Sequence, residues 1–148
     1  MPDLDILSDE EREAINEAIQ SSDPLAQQRV LIVDDDRDSR ELLAEILSLN
    51  GINCMTAAGG ASAMSLLEAR KSIGLLITDL RMEPYSGLDL IRWVRESTLA
   101  ALPIIIMSGD ANVPDAIAAM HLSVVDFLLK PINTARLLEL VRRELGMV

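Results

Sequence analysis

Polar residues suited to holding a cation or an anion follow four apolar segments of this 148-residue chain. Three consecutive aspartates, at positions 34–36, follow the apolar segment VLIV, and Asp79 follows the segment GLLIT. Ser108 and Lys130 come directly after two later apolar segments. Carboxylate oxygens bind hard cations, an ammonium group neutralises an anion, and a hydroxyl group donates a hydrogen bond. Together these groups can hold a divalent cation and a phosphoryl group, with an aspartate carboxylate as nucleophile.

The segments between these residues have the patterns of alternating strands and helices. Five short apolar runs are rich in Ile, Val and Leu and are continuous, as expected for strands buried on both faces of a parallel sheet. Apolar residues recur between them at helical spacing, and Val113, Ile117 and Met120 mark the fourth helix. We predict an α/β fold with a doubly wound, five-stranded parallel sheet. The predicted strands are residues 30–33, 52–56, 74–78, 103–107 and 124–129.

The carboxyl ends of such strands lie at one edge of the sheet, so the carboxylates of Asp34, Asp35 and Asp79 should converge there. Three carboxylates within a few ångströms of one another would repel strongly unless a cation lay among them. A ligand set made only of oxygens suits Mg²⁺ or Mn²⁺ better than zinc. Acidic residues also favour helix N-termini, and we assign that role to Asp36.

Composition excludes several classes of partner. The chain carries a net charge of −11, and neither its beginning nor its remainder offers the positive field that would hold nucleic acid. One Trp, one Tyr and one Phe provide no surface on which bases could stack. The apolar runs have the length of strands and are too short to cross a membrane. Cys54, the single cysteine, lies within an apolar run, so we expect a reducing, cytoplasmic location.

Residues 1–28 differ in character from residues 29–148, which we expect to form the main domain. The first 28 residues contain eight acidic residues and one arginine, which gives a net charge of −7. A capping-box signature at residues 8–11 precedes a narrow apolar stripe and predicts a short extra helix. That helix either packs against its own domain or serves in dimerisation or partner binding.

Four motifs lie in order along the chain, each at the end of a predicted strand. They are VDD at 33–35, TDLRM at 78–82, PIIIMSGDA at 103–111 and DFLLKP at 126–131. Together they resemble the receiver domain of two-component response regulators, and the resemblance covers residues 29–145. It implies a flavodoxin-like fold with strand order 2-1-3-4-5. It also implies a signalling switch that assists its own phosphorylation and dephosphorylation and is not an enzyme.

The resemblance implies a role for each acidic residue of the expected site. Asp79 is similar to the phosphoacceptor, which takes a phosphoryl group from a sensor histidine kinase or a histidine phosphotransfer protein. Asp34, Asp35 and Asp79 are then expected to hold Mg²⁺ (or Mn²⁺) together with the backbone carbonyl of Arg81. Lys130 matches the lysine whose ammonium group neutralises the phosphate.

Two further residues correspond to the conformational switch of that family. Ser108 is similar to the hydroxyl residue that moves to hydrogen-bond the phosphoryl group, and Phe127 to the aromatic residue that moves inward with it. This movement is expected to reshape the face formed by the fourth helix, the fifth strand and the fifth helix. The reshaped face would control binding of a downstream protein target or of a second copy of the chain. Pro131 matches the cis-proline position of the family.

Residues around the mouth of the expected site depart from the family pattern. The proline that is usual four residues after the phosphoacceptor is Glu83 here, with Pro84 one position later. The loop after Asp79 is therefore expected to take a different turn. Arg81 and Asp110 should flank the mouth of the site, where we hypothesise that they pair and hinder the water that hydrolyses the acyl phosphate.

Two other functions fit parts of the sequence. Asp34 and Asp36, spaced as Asp-x-Asp after an apolar strand, match the nucleophile motif of haloacid dehalogenase-type phosphatases, and Lys130 matches a later motif. That family needs a further acidic pair beyond the lysine, whereas only Glu139 and Glu144 follow here, both on a helical pattern. The other alternative is a receiver-shaped docking module that is never phosphorylated.

Overall fold

The sheet has the predicted parallel topology. The computed structural model describes residues 29–70, 72–110 and 112–147, so the predicted extra helix and the proposed boundary at residue 28 lie outside the described residues. Five parallel strands pair in the order β2-β1-β3-β4-β5, which confirms the expected flavodoxin-like order. The strands are β1 (Arg29–Val33), β2 (Cys54–Ala57), β3 (Ile73–Asp79), β4 (Ile104–Ser108) and β5 (Asp126–Leu129).

Five helices of the described residues cover the two faces of the sheet, and each contributes at least one buried residue to one of two apolar clusters. One cluster packs against the first and last helices, and the other packs against the three helices between them. This two-sided cover confirms the doubly wound architecture. Within the described part of the chain, no helix is long and apolar enough to cross a membrane. The helices are α1 (Arg37–Leu49), α2 (Gly60–Ala69), α3 (Gly87–Glu96), α4 (Val113–His121) and α5 (Thr134–Glu144).

The three central strands are buried on both faces, which explains their continuous apolar runs. Residues 30–33 of β1, 75–77 of β3 and 104–106 of β4 have no exposed surface. Full burial of one such aliphatic side chain contributes roughly 1.5–3 kcal/mol, so these strands form the rigid centre of the domain. Their carboxyl ends therefore provide fixed positions for polar residues.

Several strand boundaries differ from the sequence prediction. β3 and β4 each extend one residue further, so that Asp79 and Ser108 are the last residues of strands and pair with Met107 and Leu129 of the neighbouring strands. β2 and β5 each begin two residues later than predicted. The chain turns before each of them at a residue with positive φ, Gly51 before β2 and Ser123 before β5.

Helix α4 presents to solvent the apolar stripe that predicts it. Val113, Ile117 and Met120 are 70%, 49% and 75% exposed. Ala119 is the single buried residue of this helix, whereas every other helix described buries at least two. The predicted helix is thus present, but its apolar stripe does not face the core. Packing against the sheet consequently holds α4 less firmly than it holds the other helices.

Candidate functional site

Three carboxylates meet at the carboxyl edge of the sheet. Oxygen atoms of Asp34, Asp35 and Asp79 lie within 4.8 Å of one another. Asp34 follows β1 and Asp79 ends β3, and these two strands are paired neighbours in the sheet. Asp34 is fully buried, Asp79 is 8% exposed, and Asp35 is open to solvent. This arrangement fits a hard divalent cation with oxygen ligands that keeps part of its water shell, as Mg²⁺ does.

Local hydrogen bonds fix the orientation of Asp34. Its Oδ1 accepts a hydrogen bond from the backbone N–H of Asp36 at 3.0 Å. Its backbone carbonyl accepts one from the Arg40 guanidinium at 2.8 Å, and its backbone N–H donates to the Ala57 carbonyl at 3.2 Å. These contacts leave Oδ2 facing the centre of the site.

Lys130 bridges two of the three carboxylates. Its Nζ lies 3.2 Å from Oδ2 of Asp34 and 3.4 Å from Oδ2 of Asp79. The Lys130 backbone N–H donates to the Ser108 carbonyl at 2.8 Å, which anchors the start of the following loop on β4. One ammonium group neutralises one of three carboxylates, so the site retains an excess of negative charge. A divalent cation would balance that excess.

The charges of the site shift the pKa values of its members. Burial and the neighbouring charge of Asp34 raise the pKa of Asp79 above its usual range, and the opposing effect of Lys130 does not cancel them. Burial alone would lower the pKa of Lys130, but its hydrogen bond with Asp34 and the two carboxylate charges raise it on balance. Lys130 therefore remains an ammonium group in this setting.

Glycine at position 87 allows the loop after β3 to pack against Asp79. A Cβ atom at Gly87 would overlap the backbone carbonyl oxygen of Asp79. The Gly87 N–H donates to the Leu80 carbonyl at 2.9 Å, and the Leu80 N–H donates to Oδ1 of Asp79 at 2.8 Å. The first residue of α3 thus supports the carboxylate at the end of β3.

The Ser108 hydroxyl is held in a local turn at the end of β4. It donates to the Asp110 carbonyl at 2.9 Å and accepts from the Asp110 N–H at 3.1 Å. Ser108 is fully buried at the end of β4, the strand that pairs with β3. Phe127 lies opposite Ile106 in the β4–β5 pairing and is partly buried against the core. The sheet thereby places both expected switch residues on adjacent strands.

The predicted pairing of Arg81 with Asp110 is wrong. The Arg81 guanidinium instead lies 2.7 Å from Oδ2 of Asp115, in the first turn of α4. Asp110 is exposed, and its backbone is engaged by the Ser108 hydroxyl. The helix turns Asp115 towards the loop after β3, a placement that spacing along the sequence does not reveal.

The loop after β3 and the turn after β5 each contain a cis peptide bond before proline. The bond between Lys130 and Pro131 is cis, which confirms the expectation for that position. The bond between Glu83 and Pro84 is also cis, and Glu83 is exposed at the rim of the site.

Asp36 does not belong to the carboxylate cluster. It is the N-cap residue of α1, and its Oδ2 accepts a hydrogen bond from the Ser39 hydroxyl at 2.8 Å. The assignment of Asp36 to a helix start is confirmed. A haloacid dehalogenase-type phosphatase would need the carboxylates of Asp34 and Asp36 in one site, and Asp36 is not part of the cluster that contains Asp34. Asp35 and Asp79 are the neighbours of Asp34 instead.

The family model for the response regulator receiver domain matches residues 30–142. The chain belongs to this family. Receiver domains are signalling domains that bind Mg²⁺ at an acidic pocket and interact with a histidine kinase or a phosphotransfer partner. The carboxylate cluster described above could hold such an ion.

Curated relatives extend well beyond a receiver domain. The C4-dicarboxylate transport transcriptional regulatory protein DctD of Pseudomonas aeruginosa is 36% identical over 120 residues, which are 81% of this chain and 26% of that protein. The transcriptional regulatory protein CpxR of Escherichia coli is 32% identical over 114 residues, which are 77% of this chain and 47% of that protein. The chain thus spans a quarter to a half of the length of these relatives.

Solved receiver structures share the fold. A response regulator receiver protein from Pseudomonas putida is 52% identical, with a TM-score of 0.77 over 78% of this chain and 96% of that chain. The chemotaxis protein CheY4 of Vibrio cholerae is 25% identical, with a TM-score of 0.72 over 78% of this chain and 97% of that chain. The similarity covers nearly the whole of both of those chains.

Proposed function

We propose that this receiver domain is a phosphorylation-dependent switch with Asp79 as its phosphoacceptor. The phosphoryl donor would be the phosphohistidine of a sensor histidine kinase or of a histidine phosphotransfer protein. The observation that carries the proposal is the cluster of Asp34, Asp35 and Asp79 within 4.8 Å, with Lys130 beside it. Of the three carboxylates, that of Asp79 lies at the end of the central strand, partly covered and braced by the Leu80 amide.

Each residue of the site would contribute a separate part of the transfer. An Asp79 carboxylate oxygen attacks phosphorus, the bond from phosphorus to the donor histidine nitrogen breaks, and an acyl phosphate forms. Lys130, already 3.4 Å from Oδ2 of Asp79, neutralises charge on the phosphoryl oxygens. Asp34, Asp35, Asp79 and the Arg81 backbone carbonyl would hold Mg²⁺, which supplies electrostatic stabilisation of the transferred group.

An apolar groove beside the acidic cluster offers a surface for the donor protein. The groove has a volume of about 290 Å³ and lies between α1 and α5, with Asp34 and Lys130 at its end. Leu42 lines it and is 59% exposed. A helix that packs its apolar face in this groove would bring a phosphohistidine next to Asp79. The position of the groove supports a protein donor.

Ser108 and Phe127 would transmit phosphorylation to the surface. The Ser108 hydroxyl would have to leave the Asp110 backbone in order to donate to a phosphoryl oxygen. Asp110 lies three residues before the start of α4, so this movement would pull on that helix. Phe127, on the neighbouring strand, would move inward as the Ser108 loop closes over the phosphoryl group.

The output of the switch would be a protein contact through α4, β5 and α5. Four exposed apolar residues on α4 and β5 provide a surface larger than single scattered side chains would. The relatives DctD and CpxR are named as transcriptional regulatory proteins, so regulation of a downstream protein or domain is the output that we favour, with homodimerisation as its simplest form. These exposed residues are Val113, Ile117, Met120 and Leu129.

Phosphorylation can be tested with a small acyl phosphate and Mg²⁺. Intact mass spectrometry should show the addition of one phosphoryl group to the parent domain and none to the Asp79→Asn variant. Asp36→Asn is the matched control, because Asp36 lies outside the cluster, and it should still become phosphorylated. An unchanged mass in the parent domain, or an added group that persists in Asp79→Asn, would show that Asp79 is not the acceptor.

A further inference from the structure

An ion pair ties helix α4 to the loop that follows Asp79. The Arg81 guanidinium, two residues beyond Asp79, lies 2.7 Å from Oδ2 of Asp115. The Asp115 side chain is 13% exposed and that of Arg81 is 53% exposed, so one partner of the pair is largely removed from water. Such a pair is less screened than one between two fully exposed side chains.

The Arg81–Asp115 pair matters because, among the described residues, α4 buries little surface against the sheet. Ala119 is the one buried residue of the helix. At the C-terminal end of this helix, Arg95 donates to the backbone carbonyls of Leu122 and Ser123, at 2.8 Å and 3.3 Å. Polar contacts therefore hold α4 at both ends, and the contact at its N-terminal end comes from the loop that follows Asp79.

We propose that the Arg81–Asp115 pair restrains α4 in the unphosphorylated arrangement and must weaken when the domain is activated. This inference rests on the proposed function of Asp79 and Ser108. Movement of Ser108 towards a phosphoryl group displaces Asp110, which is followed within three residues by α4. An ion pair formed only in the starting arrangement opposes that displacement and lowers the population of the activated one.

The loop after β3 would then contain a residue, Arg81, that opposes the movement of α4 caused by phosphorylation of Asp79. Arg81 is a positioning residue in this scheme, since it acts on α4 and not on the phosphoryl group. Asp115 also lies in the first turn of α4, where a negative charge stabilises the helix in either arrangement. The effect of the pair must therefore be separated from the effect of this charge by changing each partner in turn.

The experiment is a double-mutant cycle read by binding of beryllofluoride, a mimic of the phosphoryl group, at saturating Mg²⁺. The variants are Arg81→Gln, Asp115→Asn and the two combined. The Kd for beryllofluoride should fall roughly two- to fivefold in each single variant, the range that an ion pair of this exposure contributes. The combined variant should show the same fall as each single one, because either change removes the whole pair.

Two controls make the outcome specific. Glu41→Gln breaks the exposed Arg37–Glu41 pair on α1 and should leave the Kd unchanged. Amide hydrogen exchange at the start of α4 should become faster in Arg81→Gln without beryllofluoride, although that helix is unaltered. Binding by the parent domain with unchanged or additive effects in the cycle would overturn this inference alone. No binding by the parent domain would overturn the proposed function and the inference with it.

Discussion

Asp34 is the buried charge on which the site depends. It has no exposed surface, and its Oδ2 faces the Lys130 ammonium at 3.2 Å. A buried carboxylate that loses its partner keeps the full cost of its desolvation, so removing one member of this pair costs more than breaking an ion pair on the surface. Lys130 therefore serves folding as well as the proposed phosphoryl transfer.

Replacement of Lys130 by methionine should separate these two contributions. In the presence of a chelator, Lys130→Met should lower the free energy of unfolding by about 1–3 kcal/mol, because Asp34 is left buried without a counter-charge. Urea denaturation followed by circular dichroism measures this change. Arg136→Met is the matched control, since it breaks the half-exposed Arg136–Asp126 pair, and should cost less than about 1 kcal/mol. Equal losses in the two variants would contradict the special role of Lys130.

The cluster residues could be predicted because each follows a buried strand. Asp34, Asp35, Asp79 and Lys130 are brought together by sheet topology alone, which the alternation of apolar runs reveals. Arg40 could also have been found, because a helical side chain in the first turn points back towards the residue that precedes the helix. The contact of that side chain with the Asp34 carbonyl is a local consequence of the turn between β1 and α1.

The contact of Asp115 with Arg81 could not be predicted from the sequence. It spans 34 residues and depends on how α4 is rotated on the sheet. The apolar stripe of Val113, Ile117 and Met120 predicts a helix and predicts that this stripe packs against the sheet. In the structure the stripe faces solvent instead. Periodicity shows which residues share a face of a helix, but it does not show whether that face packs against the core.

At the scale of elements, the junction between β3 and α3 requires a residue without a side chain. Gly87 begins α3 while lying against the backbone of Asp79, and no Cβ atom fits between them. Ser86 caps the helix through a capping box with Asp89, so the start of α3 cannot move easily. The positions of α3 and of Asp79 are therefore coupled through this glycine.

Gly87→Ala should therefore disturb both stability and the metal site. The added methyl group must push the backbones of α3 and Asp79 apart, at a cost of about 1–3 kcal/mol in unfolding free energy. Because Asp79 is displaced, Mg²⁺ should also bind more weakly, which calorimetric titration measures. Gly59→Ser is the matched control, as a Cβ atom there meets nothing within 4 Å and serine is a good N-cap residue for α2. Undiminished Mg²⁺ affinity in Gly87→Ala would contradict the coupling.

At the scale of the whole domain, the acidic cluster opposes folding when no cation is bound. The pKa of Asp79 is raised above the ordinary aspartate value of 3.8 by burial and by the charge of Asp34. In the pH range between that ordinary value and the raised one, the folded domain keeps a proton that the unfolded chain has released. Stability must therefore fall as pH rises through this range, because the folded state binds more protons there.

Raising the pH should lower the stability of the metal-free parent domain, whereas binding of Mg²⁺ should raise it. With a chelator present, the free energy of unfolding of the parent should fall, relative to Asp79→Asn, as pH is raised from about 4 to neutrality, since only the parent has a carboxyl group at position 79 to ionise. At neutral pH the metal-free Asp79→Asn domain should consequently be the more stable of the two.

Saturating Mg²⁺ should stabilise the parent through binding to the folded state alone and should stabilise Asp79→Asn much less. Thermal denaturation across a pH series, with and without Mg²⁺, provides all four curves. A parent domain whose metal-free stability tracks that of Asp79→Asn at every pH would show that the charge on Asp79 carries no folding cost.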